Sequence, residues 1–279
     1  MKLATIRYQD NVHAGLVKDG NFYSFRGIDE RLPNDMIEFI EKYEDCRPLI
    51  EEKLEQTTPT CSVNEAKFLS PIPRPRTFRD FMSFEEHVIN SGEAAGFNDV
   101  TMKNMLAVWR RLPAFYFSNT NVFFGPDEPI KMHPHSQRFD MEFEIAVVIG
   151  KEGINISKDE ASDYIFGMTI LNDWSARDIQ MEEMQMQLGP AKGKDYANSM
   201  GPVIVTMDEL QKYALPDDPS KYDMATKLYR NGELIRENNT KSIYHTYFDL
   251  IAYSSRETKI YPGDVLGSGT IGGGAMLDV

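Results

Sequence analysis

The apolar positions of the N-terminal part of the chain follow two periodicities. Short alternating runs flank Asp19 and Gly20, a dipeptide that commonly forms the turn of a β-hairpin. Residues 35–56 carry apolar side chains at helical spacing, with one proline among them. Residues 1–70 are therefore predicted to form a small α+β domain. The three prolines within residues 71–77 predict a stiff connector after it.

A larger domain is predicted over residues 71–279. It contains several short runs of alternating apolar residues and a second hairpin turn, Asn231-Gly232. Residues 92–134 show weak periodicity and many turn residues, which predicts a long loop or lid. Strands and hairpins dominate, and helices do not alternate with them strictly. The predicted fold class is therefore α+β, mostly β, with largely antiparallel pairing.

Two helices in this larger domain have predicted starting points. Ser83 is followed three residues later by Glu86, the pattern of a capping box, so a helix is predicted from Ser83 to about Gly92. Farther along the chain, an apolar run ends at Asp173, and Ser175 is positioned to cap the helix that follows. Asp173 is therefore expected at the end of a strand.

The composition restricts the partners of the protein. A formal net charge of −13 and a pI near 4.9 would repel nucleic acid and anionic membranes, so neither is an expected partner. An anionic substrate then requires a local basic pocket. Cys46 and Cys61 match no metal-ligand spacing and no disulfide framework, which is typical of reduced thiols in a cytoplasmic protein. We expect a cytoplasmic protein, since signal-peptide and membrane-span patterns are absent from the sequence.

The segment DMEFEIAVVIG places two carboxylates on one face of a predicted strand. Glu142 and Glu144 lie two residues apart, and Ala146 and Val148 continue the same face as apolar positions. A solvated outer face would explain the glutamates alone. The apolar continuation instead indicates a covered face, where two like charges repel unless a cation lies between them.

Two further carboxylates could join them. Asp173 taken alone is most simply an ordinary turn or capping residue, and Asp80 precedes the predicted helix that carries His87. His87 is placed to act as a general base near such a site. Carboxylate oxygens favour Mg²⁺, Mn²⁺ or Ca²⁺ over Zn²⁺, but spacing alone does not establish that the four carboxylates meet.

Positive and neutral donors occur in three other segments. Arg177 and Gln180 share a helix face and could hold a carboxylate or carbonyl, although a surface arginine is the simpler alternative. Lys194 lies among glycines and could supply local positive charge. Thr270 lies in PGDVLGSGTIGGG, whose backbone N–H groups could bind a carboxylate. Ordinary turn structure would also explain the last two segments.

The segments RDFMSFEEH, DMEFEIAVVIG, NDWSARDIQ, LGPAKGK and PGDVLGSGTIGGG resemble, in order, those of the fumarylacetoacetate hydrolase family. The resemblance extends from about residue 71 to the C-terminus. It implies a β-roll catalytic domain, a homodimer and a divalent metal, Mg²⁺ or else Mn²⁺ or Ca²⁺. The residues that it implies as metal ligands are Asp80, Glu142, Glu144 and Asp173.

The same resemblance implies roles for the other candidate residues. His87 would activate water, and Asp278 would orient it where relatives carry a glutamate. The groups implied in binding substrate oxygens and the charge that develops on cleavage are Arg177, Gln180 and Lys194, and Tyr116 and Thr270 match further substrate-binding positions.

The sequence also departs from the family pattern. Met82 and Met184 stand where relatives carry substrate-contacting tyrosines, which predicts a substrate tail less polar than fumarate. Asp278 is one methylene shorter than the usual glutamate. Relatives continue with a further strand pair after this point, so the resemblance implies a C-terminal truncation.

These expectations define a function and its alternatives. The leading hypothesis is a metal-dependent hydrolase that cleaves a C–C bond in a 2,4-dioxo acid, either an acylpyruvate or a compound like fumarylacetoacetate. The first alternative is a decarboxylase or a hydratase/isomerase of a 2-oxo acid. The second is a ligand-binding member of the fold without catalytic activity, against which the presence of His87 beside a complete ligand set argues.

Overall fold

The structure, a computed structural model, describes residues 1–278; Val279, the last residue of the predicted larger domain, lies outside the described residues. The strands are β1 (Lys2–Tyr8), β2 (Asn11–Lys18), β3 (Asn21–Ser24), β4 (Cys61–Ser62), β5 (Lys67–Phe68), β6 (Phe78–Phe81), β7 (Phe115–Phe117), β8 (Phe123–Phe124), β9 (Phe139–Ile149), β10 (Ile165–Ala176), β11 (Asn198–Met200), β12 (Ile204–Thr206), β13 (Ala225–Arg230), β14 (Glu233–Asn239) and β15 (Val265–Gly267). The α-helices are α1 (Phe25–Ile28), α2 (Met36–Glu41), α3 (Tyr43–Lys53), α4 (Glu85–Ala94), α5 (Asp99–Trp109), α6 (Arg177–Met184), α7 (Met207–Leu210) and α8 (Tyr247–Ser254). Among these helices, none has the length and apolar character needed to cross a bilayer.

One large sheet organises the described chain. Its main path runs β4-β3-β2-β1-β12-β10-β9-β15-β6-β7, while β5 pairs with β1, β11 with β10 and β8 with β11. The pairs β6/β15 and β8/β11 are parallel, and the other pairs of this sheet are antiparallel. Strands β13 and β14 form a separate hairpin. The predicted α+β, mostly β fold class is confirmed.

The N-terminal segment contributes strands to the same sheet. The predicted hairpin is confirmed, since Asp19 and Gly20 join β2 to β3 with φ values of 50° and 74°. Helices α2 and α3 occupy the predicted helical segment, and Pro48 lies inside α3. Strand β1 pairs with β12 through Lys2 and Val205, so the sheet continues from the N-terminal segment into the rest of the chain. The division into two domains stays a prediction.

Strand β9 is buried on both faces. Ala146 and Val148 pack in a core that includes residues of α1, α2 and α3. Ile145 and Val147 pack in a second core that includes residues of α8. Burial of a valine or isoleucine side chain contributes roughly 1.5–3 kcal/mol to the stability of the fold. Because both faces pack, the carboxylates near the start of β9 are held in the interior of the protein.

The segment 92–134 is not the long loop that its weak periodicity predicts. It contains α5 and the short strands β7 and β8. Helix α5 begins after Asn98, whose side chain accepts a hydrogen bond of 2.9 Å from the N–H of Thr101. Within α5 only Trp109 is buried, so the helix has no continuous buried stripe. Because α5 lacks an apolar stripe, the hydrophobic periodicity of the sequence did not predict this helix.

Both predicted helix caps are wrong. Helix α4 begins after Phe84, and the buried Ser83 hydroxyl has no hydrogen-bond partner within residues 1–278. The Glu86 carboxylate instead pairs with an arginine of β14. Ser175 lies inside β10, and α6 begins at Arg177 without a side-chain cap. Tertiary contacts therefore override the local capping signals at both positions.

Candidate active site

Three strands of the large sheet bring four carboxylates to one point. Asp80 lies on β6, Glu142 and Glu144 on β9, and Asp173 on β10. All four residues are buried, and each offers an oxygen within 4.8 Å of those of the others. Asp173 lies three residues inside its strand, directly opposite Glu142 in the antiparallel register, and not at the strand end as predicted. The sheet thus positions the carboxylates through backbone pairing.

A glycine on β15 makes room for this convergence. Gly267 lies between β6 and β9 and pairs with Asp80 on one side. A Cβ atom added to Gly267 would lie 2.5 Å from Asp80 Oδ1 and 2.8 Å from Glu144 Oε2. Atoms in ordinary van der Waals contact do not approach so closely, so the carboxylates occupy space that only glycine leaves open.

Burial and mutual repulsion act on the protonation of the cluster. Burial, and then the neighbouring carboxylates, raise the pKa of Asp80 and of Glu144 well above the usual range. Burial would also raise the pKa of Glu142, but the positive charges of Lys194 and Arg177 outweigh it and lower that pKa. The site therefore contains more negative charge than its own cationic side chains neutralise.

Three oxygens of the cluster have no hydrogen-bond partner in the described chain. They are Asp80 Oδ1, Glu144 Oε1 and Asp173 Oδ1, and all three are buried. A buried polar atom without a partner is costly. Four convergent carboxylates without thiol or imidazole donors form the ligand set that hard divalent cations prefer. The cluster therefore suits a divalent metal, while its identity as Mg²⁺ stays a prediction.

Lys194 and Tyr116 contact the same carboxylates. The buried Lys194 Nζ lies 2.5 Å from Glu142 Oε2 and 2.6 Å from Asp173 Oδ2. The Tyr116 hydroxyl donates to Asp80 Oδ2 at 2.9 Å and also contacts Asp173 Oδ2. Burial and the nearby Asp173 raise the pKa of Tyr116, so its hydroxyl remains protonated and able to donate. Both side chains hold the carboxylates, and their predicted roles toward substrate stay predictions.

Arg177 is committed to ion pairs inside the protein. Its Nε lies 2.8 Å from Asp140 Oδ2, and its Nη1 lies 2.7 Å from Glu142 Oε1 and 3.0 Å from Gln180 Oε1. Sequence reasoning missed Asp140. The signal was present, because Asp140, Glu142 and Glu144 alternate along one strand and therefore share a face.

His87 lies beside the cluster with an acidic partner of its own. Its Nδ1 is 3.0 Å from Asp278 Oδ2, and its Nε2 is 3.3 Å from the Ser91 hydroxyl and 3.7 Å from Glu142 Oε1. Sequence reasoning missed Ser91, although it lies one helical turn after His87. The arrangement fits a histidine whose Nδ1–H is held by a carboxylate and whose Nε2 can accept a proton.

A cavity of about 910 Å³ opens beside these residues. Polar groups are found at one end, where the Thr270 hydroxyl is buried and has no hydrogen-bond partner among the residues that the structure describes. The polar or charged residues of its lining are Asp80, His87, Tyr116, Glu142, Gln180, Lys194 and Thr270. Predicted substrate-binding residues therefore border this cavity, except for Arg177, whose guanidinium lies behind Glu142.

Comparison with known proteins identifies the family. The family model described as fumarylacetoacetate (FAA) hydrolase, C-terminal, matches residues 76–278, which is more than half of the chain. The chain belongs to the fumarylacetoacetate hydrolase family. Fumarylacetoacetate hydrolase domain-containing protein 2 of Pongo abelii is 30% identical over 261 residues, covering 92% of this chain and 76% of that protein.

Two other relatives in this family have names that state an activity. The mitochondrial oxaloacetate tautomerase Fahd2a of Rattus norvegicus is 30% identical and covers 95% of this chain and 78% of its own. The oxaloacetate tautomerase YisK of Bacillus subtilis is 31% identical over 215 residues, 76% of this chain and 64% of that protein. The chain is thus a member of a family of enzymes.

Solved structures of fumarylacetoacetate hydrolase family proteins share the fold. A putative HpcE protein of Mycobacterium smegmatis has a TM-score of 0.74 at 24% identity, covering 100% of this chain and 89% of that one. Maleylpyruvate hydrolase of Sphingobium sp. SYK-6, solved with manganese(II) and pyruvate, has a TM-score of 0.72 at 22% identity, with coverage of 99% and 90%. At these identities the likeness establishes the fold.

Proposed function

We propose that the protein is a metal-dependent hydrolase that cleaves a C–C bond in a 2,4-dioxo acid. The observation that carries this proposal is the His87–Asp278 pair, 3.0 Å apart, at the edge of the carboxylate cluster and on the wall of a large cavity. A hydrolase requires a base next to the site that binds the dioxo group. This pair provides the base, and the cavity provides space for substrate and water.

The 2-oxo acid group of the substrate, called its head below, would bind at the polar end of the cavity. Asp80, Glu142, Glu144 and Asp173 would hold the divalent cation, which when bound supplies Lewis acidity toward the 2-oxo acid group. The Thr270 hydroxyl and the Gln180 amide border the same end and would orient the carboxylate and carbonyl oxygens. Lys194 supplies the positive charge that an anionic substrate needs in a protein of net charge −13.

His87 would perform the proton transfers. Asp278 holds Nδ1, so Nε2 accepts a proton from water as the water oxygen bonds to the distal carbonyl carbon. The bond between that carbon and the methylene then breaks, and its electron pair passes to the 2-oxo acid fragment as an enolate. The imidazolium returns its proton to the methylene carbon. One water is consumed, and a carboxylic acid and a 2-oxo acid are released.

Buried charges would stabilise the two charged species of this reaction. The imidazolium lies between Asp278 and Glu142, at 3.0 Å and 3.7 Å. The enolate develops next to the Lys194 ammonium, which is buried and therefore acts through a medium of low polarity. Stabilisation of developing charge by oriented groups is commonly worth several kcal/mol in enzymes.

Oxaloacetate tautomerisation is the second candidate. It is favoured by the names of the relatives at 30% and 31% identity. The same His87 would move a proton between the C3 carbon and the enol oxygen, without attack by water. The reaction shares the head site and the base with hydrolysis, so the two candidates differ in whether water enters the product.

An isotope experiment separates the candidates. The protein is loaded with Mg²⁺ or Mn²⁺ and incubated in ¹⁸O-water with acylpyruvates, and the products are read by mass spectrometry. We expect one ¹⁸O atom in the released carboxylic acid and loss of cleavage in His87→Ala. Faster keto–enol interconversion of oxaloacetate, with no cleavage of any dioxo acid, would replace the hydrolase by the tautomerase. Release of CO₂ from oxaloacetate would instead favour a decarboxylase.

The homodimer implied by the family resemblance is also a proposal. Light scattering coupled to size-exclusion chromatography tests it. A mass near twice the 31.9 kDa of the chain would support it, and a single chain mass would contradict it.

A further inference from the structure

We propose that the apolar end of the cavity is a binding site for an unbranched hydrocarbon tail on the substrate, and that it selects against a second carboxylate. This inference rests on the proposed function, because it assigns the tail of the same 2-oxo acid whose head the carboxylate cluster would bind. It concerns binding and not the reaction type.

Helix α5 forms one wall of this tail site. Met105, Val108 and Trp109 of α5, with Leu112 just after it, line the cavity. Phe115 and Phe117 of β7 border the same region and flank Tyr116, which contacts the carboxylate cluster. The tail site and the head site are therefore parts of one continuous cavity.

The wall is anchored on two sides. The indole N–H of Trp109 donates to the carbonyl of Met82, directly after β6. Arg110 pairs with Glu85 at the start of α4, the helix that carries His87. The absence of a side chain at Gly92 permits the close approach, since an added Cβ would lie 2.4 Å from Met102 Cε. The distance between the wall and the base is thus set by the packing of α4 against α5.

Apolar side chains at the mouth of the cavity are left open to water. Leu188 is 89% exposed, Met184 52% and Val108 48%, and all three border the cavity. Contiguous exposed apolar surface commonly marks a binding site, because a ligand that covers it gains the hydrophobic free energy. A hydrocarbon tail extending from the carboxylate cluster would cover these side chains.

The charges of the lining exclude an acidic tail. Within the part of the chain that the structure describes, the cavity lining contains one lysine, Lys194, one histidine, His87, and no arginine. Both are at the head end and already contact carboxylates. A second carboxylate on the substrate would meet methionine, leucine and aromatic side chains, where it loses hydration without gaining a partner.

The size of the cavity also exceeds what a short diacid fills. Sites for ligands of drug size measure about 300–1,000 Å³. The volume of about 910 Å³ is near the top of that range, so a bound pyruvate head would leave most of it available. A tail of several carbons uses this space, and oxaloacetate does not.

Binding of compounds that cannot be cleaved tests the site without relying on catalysis. Calorimetry with the Mn²⁺-loaded protein would measure Kd for pyruvate, 2-oxobutanoate, 2-oxopentanoate and 2-oxohexanoate, and for the diacids 2-oxoglutarate and 2-oxoadipate. We expect Kd to fall roughly two- to fourfold for each added methylene. The two diacids should bind no more tightly than pyruvate.

A lysine introduced on α5 tests the tail site, and a second lysine variant on the same helix provides the matched control. In Val108→Lys, we expect 2-oxohexanoate to lose at least fivefold in affinity and 2-oxoglutarate to gain at least fivefold. Val100 lies on the same helix, is 70% exposed and does not border the cavity, so Val100→Lys should leave every Kd within twofold. The position at the surface makes both variants compatible with folding.

The outcomes distinguish this site from the proposed reaction. A Kd that does not change with tail length, tighter binding of the diacids, or equal effects of the two lysine variants would overturn the tail site. If tail length controls Kd but no ¹⁸O enters any product, the tail site stands and the hydrolase proposal fails. If a dioxo acid is cleaved but Kd does not change with tail length, the hydrolase proposal stands and the tail site fails.

Discussion

His87 Nδ1 lies 3.0 Å from Asp278 Oδ2, although 191 positions separate the two residues along the chain. The carboxylate accepts from the Nδ1–H, which leaves Nε2 as the basic nitrogen. Nε2 is directed toward Ser91 and Glu142, at the cavity wall. The pairing therefore determines which nitrogen of the imidazole faces the substrate.

The first prediction concerns this pair. His87→Ala should lower kcat by roughly 10²–10⁴, the usual worth of a general base, because water then has no proton acceptor. Asp278→Asn should lower kcat less, and the double variant should be no slower than His87→Ala, because the two residues act as one unit. Steady-state kinetics on the substrate found by the isotope experiment measures all three.

Metal affinity provides the internal control for that series. His87→Ala should keep its Mn²⁺ affinity within a few-fold, since the imidazole is outside the carboxylate cluster. His13, which is half-buried on the N-terminal hairpin, is the matched histidine away from the site, and His13→Ala should match the wild type in both assays. Additive losses in the double variant would show that Asp278 does not act through His87.

The second prediction concerns metal and stability. A cation that binds the folded protein should stabilise it by about 2.7 kcal/mol at one hundred times its Kd. Wild-type protein treated with chelator should therefore unfold at a lower temperature than protein with excess Mn²⁺. Glu144→Gln should show no such difference and should be at least as stable as the metal-free wild type, because a repelling carboxylate is removed. Differential scanning calorimetry measures both.

The exposed Glu237 gives the control for a lost carboxylate. It pairs with Lys227 on the surface, so Glu237→Gln should keep the full metal-dependent rise in unfolding temperature. A rise of normal size in Glu144→Gln would exclude Glu144 as a ligand.

The third prediction concerns Lys194. In Lys194→Met, Glu142 and Asp173 lose their buried cationic partner, and breaking such a pair costs about 3–5 kcal/mol. Denaturant unfolding in chelator should show this loss, and saturating metal should reduce it. The neighbouring Lys192 is 66% exposed and pairs with Asp195 at the surface, so Lys192→Met should change stability by less than about 1 kcal/mol. Equal losses in the two variants would contradict the buried pairing.

The fourth prediction concerns the loop between α6 and Lys194. The Glu183 carboxylate accepts hydrogen bonds of 2.9, 2.7 and 3.1 Å from the N–H groups of Ala191, Lys192 and Gly193. Glu183→Gln should weaken these contacts, speed proteolytic cleavage of residues 185–192 and lower kcat/KM about tenfold through misplacement of Lys194. Glu182, on the same helix but exposed, supplies the control variant Glu182→Gln.

The same contacts give a pH dependence of definite sign. Burial alone would raise the pKa of Glu183, but its three backbone hydrogen bonds outweigh it and lower that pKa. A lowered pKa means that the ionised form stabilises the loop above the unfolded value of about 4.3 and that this contribution is lost as pH falls further. Limited proteolysis of the loop should therefore accelerate below pH 4 in the wild type. Equal acceleration in Glu183→Gln would assign the effect to other carboxylates.

Local signals in the sequence predicted those parts of the fold that depend on neighbouring residues. The Asp19-Gly20 turn and the alternation in β9 follow from backbone and side-chain rules over a few positions. The cap at Ser175 failed because β10 continues through this position to Ala176. The cap at Ser83 failed because α4 begins only at Glu85, and Glu86 pairs with Arg236 of β14. Helix α5 was missed because its apolar side chains line a cavity and not a core.

The candidate site also combines residues that the sequence indicated with contacts that form only in the folded chain. The spacing placed Glu142 and Glu144 on one covered face and offered Asp80 and Asp173 as further candidates, and the family resemblance grouped the four as metal ligands. The same alternation places Asp140 on the face of Glu142 and Glu144, but its ion pair with Arg177, 37 positions away, forms only in the folded chain. The cavity wall was not predictable for a similar reason, since it requires the packing of α5 against α4.

The alternation along β9 has a consequence for how the gene can vary. Asp140, Glu142 and Glu144 point one way and Phe143, Ile145 and Val147 the other, and the register against β10 holds through this whole stretch. An in-frame insertion or deletion of a single codon inside residues 140–148 would move every side chain beyond that point to the opposite face of the sheet. Carboxylates would then enter the hydrophobic interior, or isoleucine and valine would replace them in the carboxylate cluster. Homologous genes should therefore accumulate substitutions in this segment while length changes are confined to the loops on either side.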